Sequence, residues 1–133
     1  MAIEAFDIAP IPLYDEDVKA QGFPAPVQAL REKIRAADAL LIVTPEYNHG
    51  YTPVLKNALD YLYAEWAHKP ASFITYGGVN GARSVEQVRL VLVELRMVPI
   101  RNAVHLPNLR DKFNDGQFVG DKAHSDNLTQ VLD

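Results

Sequence analysis

Cysteine is absent from the 133-residue chain, which excludes disulfides, thiolate metal sites and cysteine nucleophiles together. Long apolar runs are also missing. None approaches the roughly 20 residues of a membrane-spanning helix, and no basic-then-apolar leader opens the sequence. Positive charge is scarce, with 13 Lys and Arg against 17 Asp and Glu and a net charge of −4, so nothing favours a nucleic-acid backbone. No Gly-Lys-Ser/Thr step of a P-loop occurs. His49, His68, His105 and His124 fall at no metal-ligand spacing and read as surface or structural residues. Among them, only His49 is notable, for its place in a loop of unusual composition. Ser72, Ser84 and Ser125 lack the strand–turn–helix context of a nucleophile elbow. What the chain does have is 48% hydrophobic residues, too many for a disordered polymer. Its length suits one domain that buries roughly two-thirds of its unfolded surface. The expectation is a single soluble, cytoplasmic α/β domain, without repeat, low-complexity tract or linker.

Residues 3–8 alternate well enough to predict a short strand. Pro10 to Pro26 reads as a loop, because its prolines lack the N–H that a ladder or helix interior needs. A helix opens at Pro26 and shows Val27, Leu30, Ile34 and Ala37 at helical spacing. Residues 39–43 form a continuous apolar run, the pattern of a strand buried on both faces of a parallel sheet. A second helix starts at Pro53 with Thr52 as N-cap and presents Val54, Leu55, Ala58, Leu59 and Leu62. A strand at 71–75 follows, then a third helix striped by Val85, Val88, Val91, Leu92 and Leu95, with Ser84 and Gln87 at capping-box spacing. Residues 102–106 form a last strand, 114–116 a turn, and 121–133 a weak helix. This β-α-β-α-β-α-β-α order predicts a parallel sheet with helices on both faces and right-handed crossovers. Ligands of such sheets sit beyond the carboxyl ends of the strands. Loops 44–52 and 75–81 hold that position.

Loop 44–52 places a proline, a carboxylate, a phenol and an amide directly after a buried strand. A planar polar ring could stack on Tyr47 and meet main-chain N–H groups and Asn48. Loop 75–81 has glycines at 77, 78 and 81, which allow close backbone approach or positive φ. On composition alone, both loops serve equally well as simple chain reversals. Gly78-x-x-Gly81 is only a fragment of a dinucleotide fingerprint. Asp15-Glu16-Asp17 reads as a solvated acidic trio, and Arg110, Asp111 and Lys112 as mixed-charge surface. Tyr61, Tyr63 and Trp66 at the end of the second helix could be core, but helical spacing leaves part of the cluster outside, which a partner subunit would explain.

Leu41-Ile42-Val43-Thr44-Pro45-Glu46-Tyr47-Asn48, followed by Pro53-x-Leu55-Lys56-Asn57-Ala58-Leu59-Asp60, resembles the NADPH-dependent FMN reductase family of flavodoxin-like proteins, which includes quinone, azo-dye and chromate reductases. Lys69-Pro70, the Gly-Gly-x-x-Gly-Ala-Arg stretch at 77–83 and Val-Leu-x-Glu-Leu at 91–95 extend the similarity over nearly the whole chain. The resemblance implies a flavodoxin-like sheet of order 2-1-3-4-5 with FMN at its switch point. It implies that Pro45, Glu46, Tyr47 and Asn48 line the isoalloxazine, largely through backbone, and that Thr75, Tyr76, Gly77 and Gly78 border its other edge. It further implies hydride transfer from NADPH or NADH to FMN and on to a quinone, azo compound, free flavin or metal oxyanion, with no catalytic side chain and no metal. A homodimer or tetramer built on the helix of 53–66 is implied as well.

One departure stands out. The family's Gly-Ser-x-Arg-x-x-Ser phosphate loop has no counterpart here, so the chain is expected to be an N-terminally incomplete flavodoxin-like domain of residues 1–133, lacking the first βα unit. Without that central strand, the strand of 3–8 has no neighbour and one edge of the strand at 39–43 is exposed. The chain is then a fragment, a polypeptide completed by another chain or a symmetry mate, or a flavin-free interaction module.

Overall fold

The computed structural model describes residues 2–133. The chain runs α1 (Glu16–Ala20), α2 (Ala25–Ala36), β1 (Leu40–Pro45), α3 (Pro53–Tyr61), β2 (Pro70–Tyr76), α4 (Ala82–Glu94), β3 (Val98–Pro99), β4 (Val104–Leu106), β5 (Phe113–Asn114), β6 (Gln117–Phe118) and α5 (Lys122–Leu132), with 3₁₀ turns at Ala64–Trp66 and Leu109–Lys112. β2 is central: it pairs in parallel with β1 over Leu40↔Ala71 to Pro45↔Tyr76, and on its other side with β3 and β4. The expected α/β class and parallel sheet are therefore present.

The strand expected at 3–8 does not form, and Ile3 is 68% exposed. A short alternating segment becomes a strand only with a ladder partner, and β1 pairs with β2 alone. β1 is also not buried on both faces, since Val43 alternates to the face opposite buried Thr44. Its second edge is unpaired and Val43 is 63% exposed. The stretch from Ile8 onward instead straps α3. Ile11 is buried, the Asn57 side chain receives Tyr14 N–H at 2.7 Å and donates to Pro12 O at 2.9 Å, and Tyr61 Oη donates to Leu13 O at 3.1 Å.

Within the proline-rich stretch, the acidic trio starts a helix rather than standing free. Asp15 caps α1 by accepting the Asp17 N–H at 2.9 Å, and acids suit that end of a helix dipole. α2 begins at Ala25, one residue before the expected Pro26, and buries Val27, Leu30 and Ile34. Thr52 caps α3 as expected, its Oγ1 accepting Leu55 N–H at 3.2 Å. α3 ends at Tyr61, short of 66, because the Trp66 indole folds back and donates to Leu59 O and Leu62 O, both at 3.1 Å. Those carbonyls are the acceptors that a helix end leaves unpaired. Tyr61 and Trp66 are consequently core residues at 0% and 3% exposure, and only Tyr63 faces outward.

The inner face of the sheet places Ala71, Phe73 and Thr75 against Leu55, Leu59, Val85, Val88 and Leu92, all buried. The expected turn at 114–116 is a tight hairpin, with Asp115 and Gly116 at φ 48° and 76°, the positive angles that a two-residue loop of the twisted type requires. Asp121 caps α5 through His124 N–H at 3.1 Å.

Candidate functional site

Loops 46–52 and 77–81 leave the carboxyl ends of β1 and β2 side by side. The Glu46 N–H donates to Tyr76 O at 2.8 Å, carrying the pairing one residue past β1. Tyr47 and Gly50 then exchange backbone hydrogen bonds at 3.0 and 3.1 Å, closing a two-residue turn with Asn48 and His49 at φ 49° and 72°. Asn and His are both among the non-glycine residues enriched in that region, and the turn is held from outside: Gln87 Nε2 donates to His49 O at 2.7 Å. Gln87 thus serves the loop. The capping box expected from Ser84 and Gln87 is absent, because α4 is entered through Gly81 at φ 78° and Ser84 lies buried inside the helix.

Glu46 joins the two loops. Its side chain is 5% exposed, Oε2 accepts the Arg83 backbone N–H at 3.1 Å, and Oε1 accepts Arg83 Nη1 at 3.2 Å. A carboxylate there answers the orphan N–H groups and positive dipole end of α4. Close packing follows: a Cβ on Gly77 would lie 2.8 Å from Glu46 Cβ, and one on Gly81 would lie 2.4 Å from Thr75 Cβ. Thr75 is fully buried beneath the second loop and donates from Oγ1 to Asn80 O at 2.9 Å.

The eight residues singled out in the sequence all lie at this one end of the sheet, in different postures. Glu46 and Thr75 turn their side chains inward. Pro45, Tyr76 and Gly77 are half-buried, and Tyr47 (60% exposed), Asn48 and Gly78 face solvent. The backbone N–H groups of Asn48, His49, Gly78 and Val79 find no acceptor among the described residues, and a Cβ on Gly78 would meet no atom within 4 Å. The result is an open shelf with an aromatic side chain, unspent donors and room for a flat group. A flat heterocycle with carbonyl and ring-nitrogen acceptors fits it. A phosphate does not fit equally well: the N-terminus of α4 is taken by Glu46 and that of α3 by Thr52. A separate groove of about 490 Å³ between the strap and α3 shares only Tyr51 with the shelf, and its Lys56 is paired with Asp60 at 2.6 Å.

Three contributors escaped the sequence reading. Arg83 and Gln87 are helix residues whose partners lie across the fold, at Glu46 and His49. His105 reaches Thr75 Oγ1 at 2.9 Å from the next strand. Only the Gly-Ala-Arg stretch at 81–83 gave a local signal. No group of three or more His, Asp or Glu that could hold a metal occurs among the described residues.

The chain is similar to several known proteins. Residues 1–111 match the family described as NADPH-dependent FMN reductase. An NAD(P)H-dependent FMN reductase of Pseudomonas aeruginosa is 42% identical over 131 residues, covering 92% of this chain and 71% of that protein. An NADPH:quinone oxidoreductase of Arabidopsis thaliana is 38% identical over 143 residues, covering 99% and 71%. Among solved structures, a flavoenzyme NAD(P)H:(acceptor) oxidoreductase of Paracoccus denitrificans superposes with a TM-score of 0.77 at 27% identity, covering 94% of this chain and 73% of that one.

Proposed function

Because the chain belongs to the NADPH-dependent FMN reductase family, a family of FMN-dependent NAD(P)H oxidoreductases, we propose that the shelf between loops 46–52 and 77–81 seats the flavin ring. The observation that carries this reading is the pairing of four unspent amides with an open face at Gly78. Amides of Asn48, His49, Gly78 and Val79 would donate to the ring's acceptors, Tyr47 would cover part of it, and Glu46 would hold the two loops at a set spacing. FMN, when bound, supplies the hydride chemistry, so the chain needs to bind and orient and requires no side-chain base. The acceptor class we propose is a small quinone, an azo compound, free flavin or a metal oxyanion, since an open shelf leaves the outer ring face accessible.

The phosphate needs donors that the two loops do not offer. We propose that they come from a strand and loop pairing on the free edge of β1, which makes residues 1–133 one flavodoxin-like domain without its first βα unit. An unpaired parallel edge with Val43 exposed supports this. The same edge supports a second reading, a flavin-free interaction module. We further propose association of copies through the outer side of the 53–66 segment. With Tyr61 and Trp66 in the core, the exposed large apolar side chains of that surface are Val54 and Tyr63, 45% and 49% exposed. A cytoplasmic site of action suits a chain with no described helix long and apolar enough to cross a membrane.

The test is NADPH and NADH consumption by the purified chain with saturating FMN and a benzoquinone acceptor. The proposal expects turnover that requires FMN and rises with the quinone, with the parallel-line kinetics of alternating half-reactions. Oxidation no faster than FMN alone supports would overturn it in favour of the module.

A further inference from the structure

We infer that His105 is a positioning residue of the flavin shelf, fixing loop 77–81 through Thr75 and the Asn80 carbonyl. His105 on β4 stands opposite Thr75 on β2 in the parallel register, so both side chains lie on the same face of the sheet. Its Nδ1 is 2.9 Å from Thr75 Oγ1 and 3.2 Å from Asn80 O, while Thr75 Oγ1 is itself 2.9 Å from Asn80 O. The protons of this triangle follow from its chemistry. A carbonyl oxygen only accepts, so the Thr75 hydroxyl donates to Asn80 O and keeps its lone pairs for an incoming donor. Nδ1–H is that donor. The other tautomer would aim a nitrogen lone pair at the carbonyl oxygen and leave the hydroxyl with two competing acceptors. The network therefore assigns the neutral ring's proton to Nδ1.

The lock lies where the loop needs it. Asn80 and Gly81 are consecutive left-handed residues at φ 61° and 78°, and a non-glycine residue holds that conformation only when its surroundings over-determine it. Asn80 N–H donates to Gly77 O at 3.0 Å, closing the turn that displays the Gly78 and Val79 amides. His105 and Thr75 pin the far end of this turn from below, and Glu46 with Arg83 pins the helix that follows. Binding geometry of this kind depends on such supporting contacts to within roughly 0.5 Å. The inference deepens the flavin-shelf reading and rests on it.

The test uses the whole chain with His105→Asn, His105→Gln, His105→Leu and Thr75→Val. Two quantities are read: amide hydrogen exchange of Asn80 and Ala82, whose N–H groups are bonded within the turn, without flavin, and FMN affinity by fluorescence. The side-chain amide nitrogen of His105→Asn reaches the Nδ1 position, so this variant should match the parent in both. His105→Gln, His105→Leu and Thr75→Val should each lose about fivefold in protection and in affinity, the scale of one net hydrogen bond. The ¹⁵N shifts of the parent imidazole should report Nδ1–H. Unchanged exchange in His105→Leu, or identical behaviour of the Asn and Gln variants, would overturn the lock. Loosened exchange with unchanged FMN affinity would overturn the positioning role and would count against the flavin placement, leaving the hydrogen bonds intact.

Discussion

Replacing Glu46 with alanine tests how the two loops are held together. The substitution keeps Cβ, so the contact with Gly77 survives, and removes a carboxylate that is 5% exposed. Two bonds are lost. The one from the Arg83 backbone N–H, 3.1 Å long and at the N-terminal end of α4, is charge-assisted and contributes about 2 kcal/mol net. The one from the Arg83 guanidinium, 3.2 Å long, joins a side chain that is 43% exposed and can return to water, so it adds less than about 1 kcal/mol. The expected loss is therefore about 2 kcal/mol. For 133 residues, with an unfolding entropy of about 2.1 cal/mol/K per residue, that lowers Tm by about 7 °C. Glu46→Gln keeps an acceptor without the charge and should lose about half as much. Arg83→Ala keeps the backbone donor and should lose less than about 1 kcal/mol. Urea unfolding of the three variants beside the parent measures the series. A Glu46→Ala loss below about 0.5 kcal/mol, or a larger loss in Arg83→Ala than in Glu46→Ala, would refute the reasoning.

Other outcomes follow from the same contacts. Gly81→Ala combines positive φ with a Cβ 2.4 Å from Thr75 Cβ and should cost about 3 kcal/mol, whereas Gly116→Ala, at φ 76° with nothing within 4 Å, should cost only about 1 kcal/mol. Chemical denaturation of the pair separates crowding from backbone strain. Glu65 carries a pH signature: burial pushes its carboxyl up, but the hydrogen bond from Arg31 at 2.6 Å and the charges of Arg31 and Arg35 outweigh burial and hold it below the ordinary glutamate value. A lowered folded-state value gives stability that is fully present above the unfolded-state pKa and is lost as pH falls through the folded one. The parent should therefore exceed Glu65→Gln in stability at neutral pH, with the gap closing in acid; a constant gap across denaturation curves from pH 7 downward would contradict this.

The elements that were legible in the sequence are those whose pattern is local. The apolar run before Pro45 and the helical stripes of Val27, Leu30 and Ile34 and of Val85, Val88 and Leu92 carry their own periodicity, and Thr52-Pro53 marks a helix start. Residues 3–8 misled because alternation shows a capacity to pair but not the presence of a neighbour. Trp66 misled because helical spacing was extended past a helix that its own indole terminates. At the candidate site, the common placement of the eight loop residues at one end of the sheet was legible from composition and the family motif. The direction of the Glu46 and Thr75 side chains was not, since each is set by a partner 37 or 5 positions away. His105 was legible only as a strand residue, because its role depends on a register that no local pattern encodes.

The most direct measurement of the central claim is a fluorescence titration of FMN and of riboflavin with the parent chain and with Gly78→Leu. The leucine meets no atom of the chain within 4 Å of its Cβ, so folding should be unaffected while the shelf is filled. The account predicts that both flavins are quenched by the parent with similar affinity, since the loops grip the ring and leave the phosphate free, and that Gly78→Leu binds neither. Absence of quenching in the parent, or a folded Gly78→Leu that binds as the parent does, would contradict the placement of the flavin on this shelf.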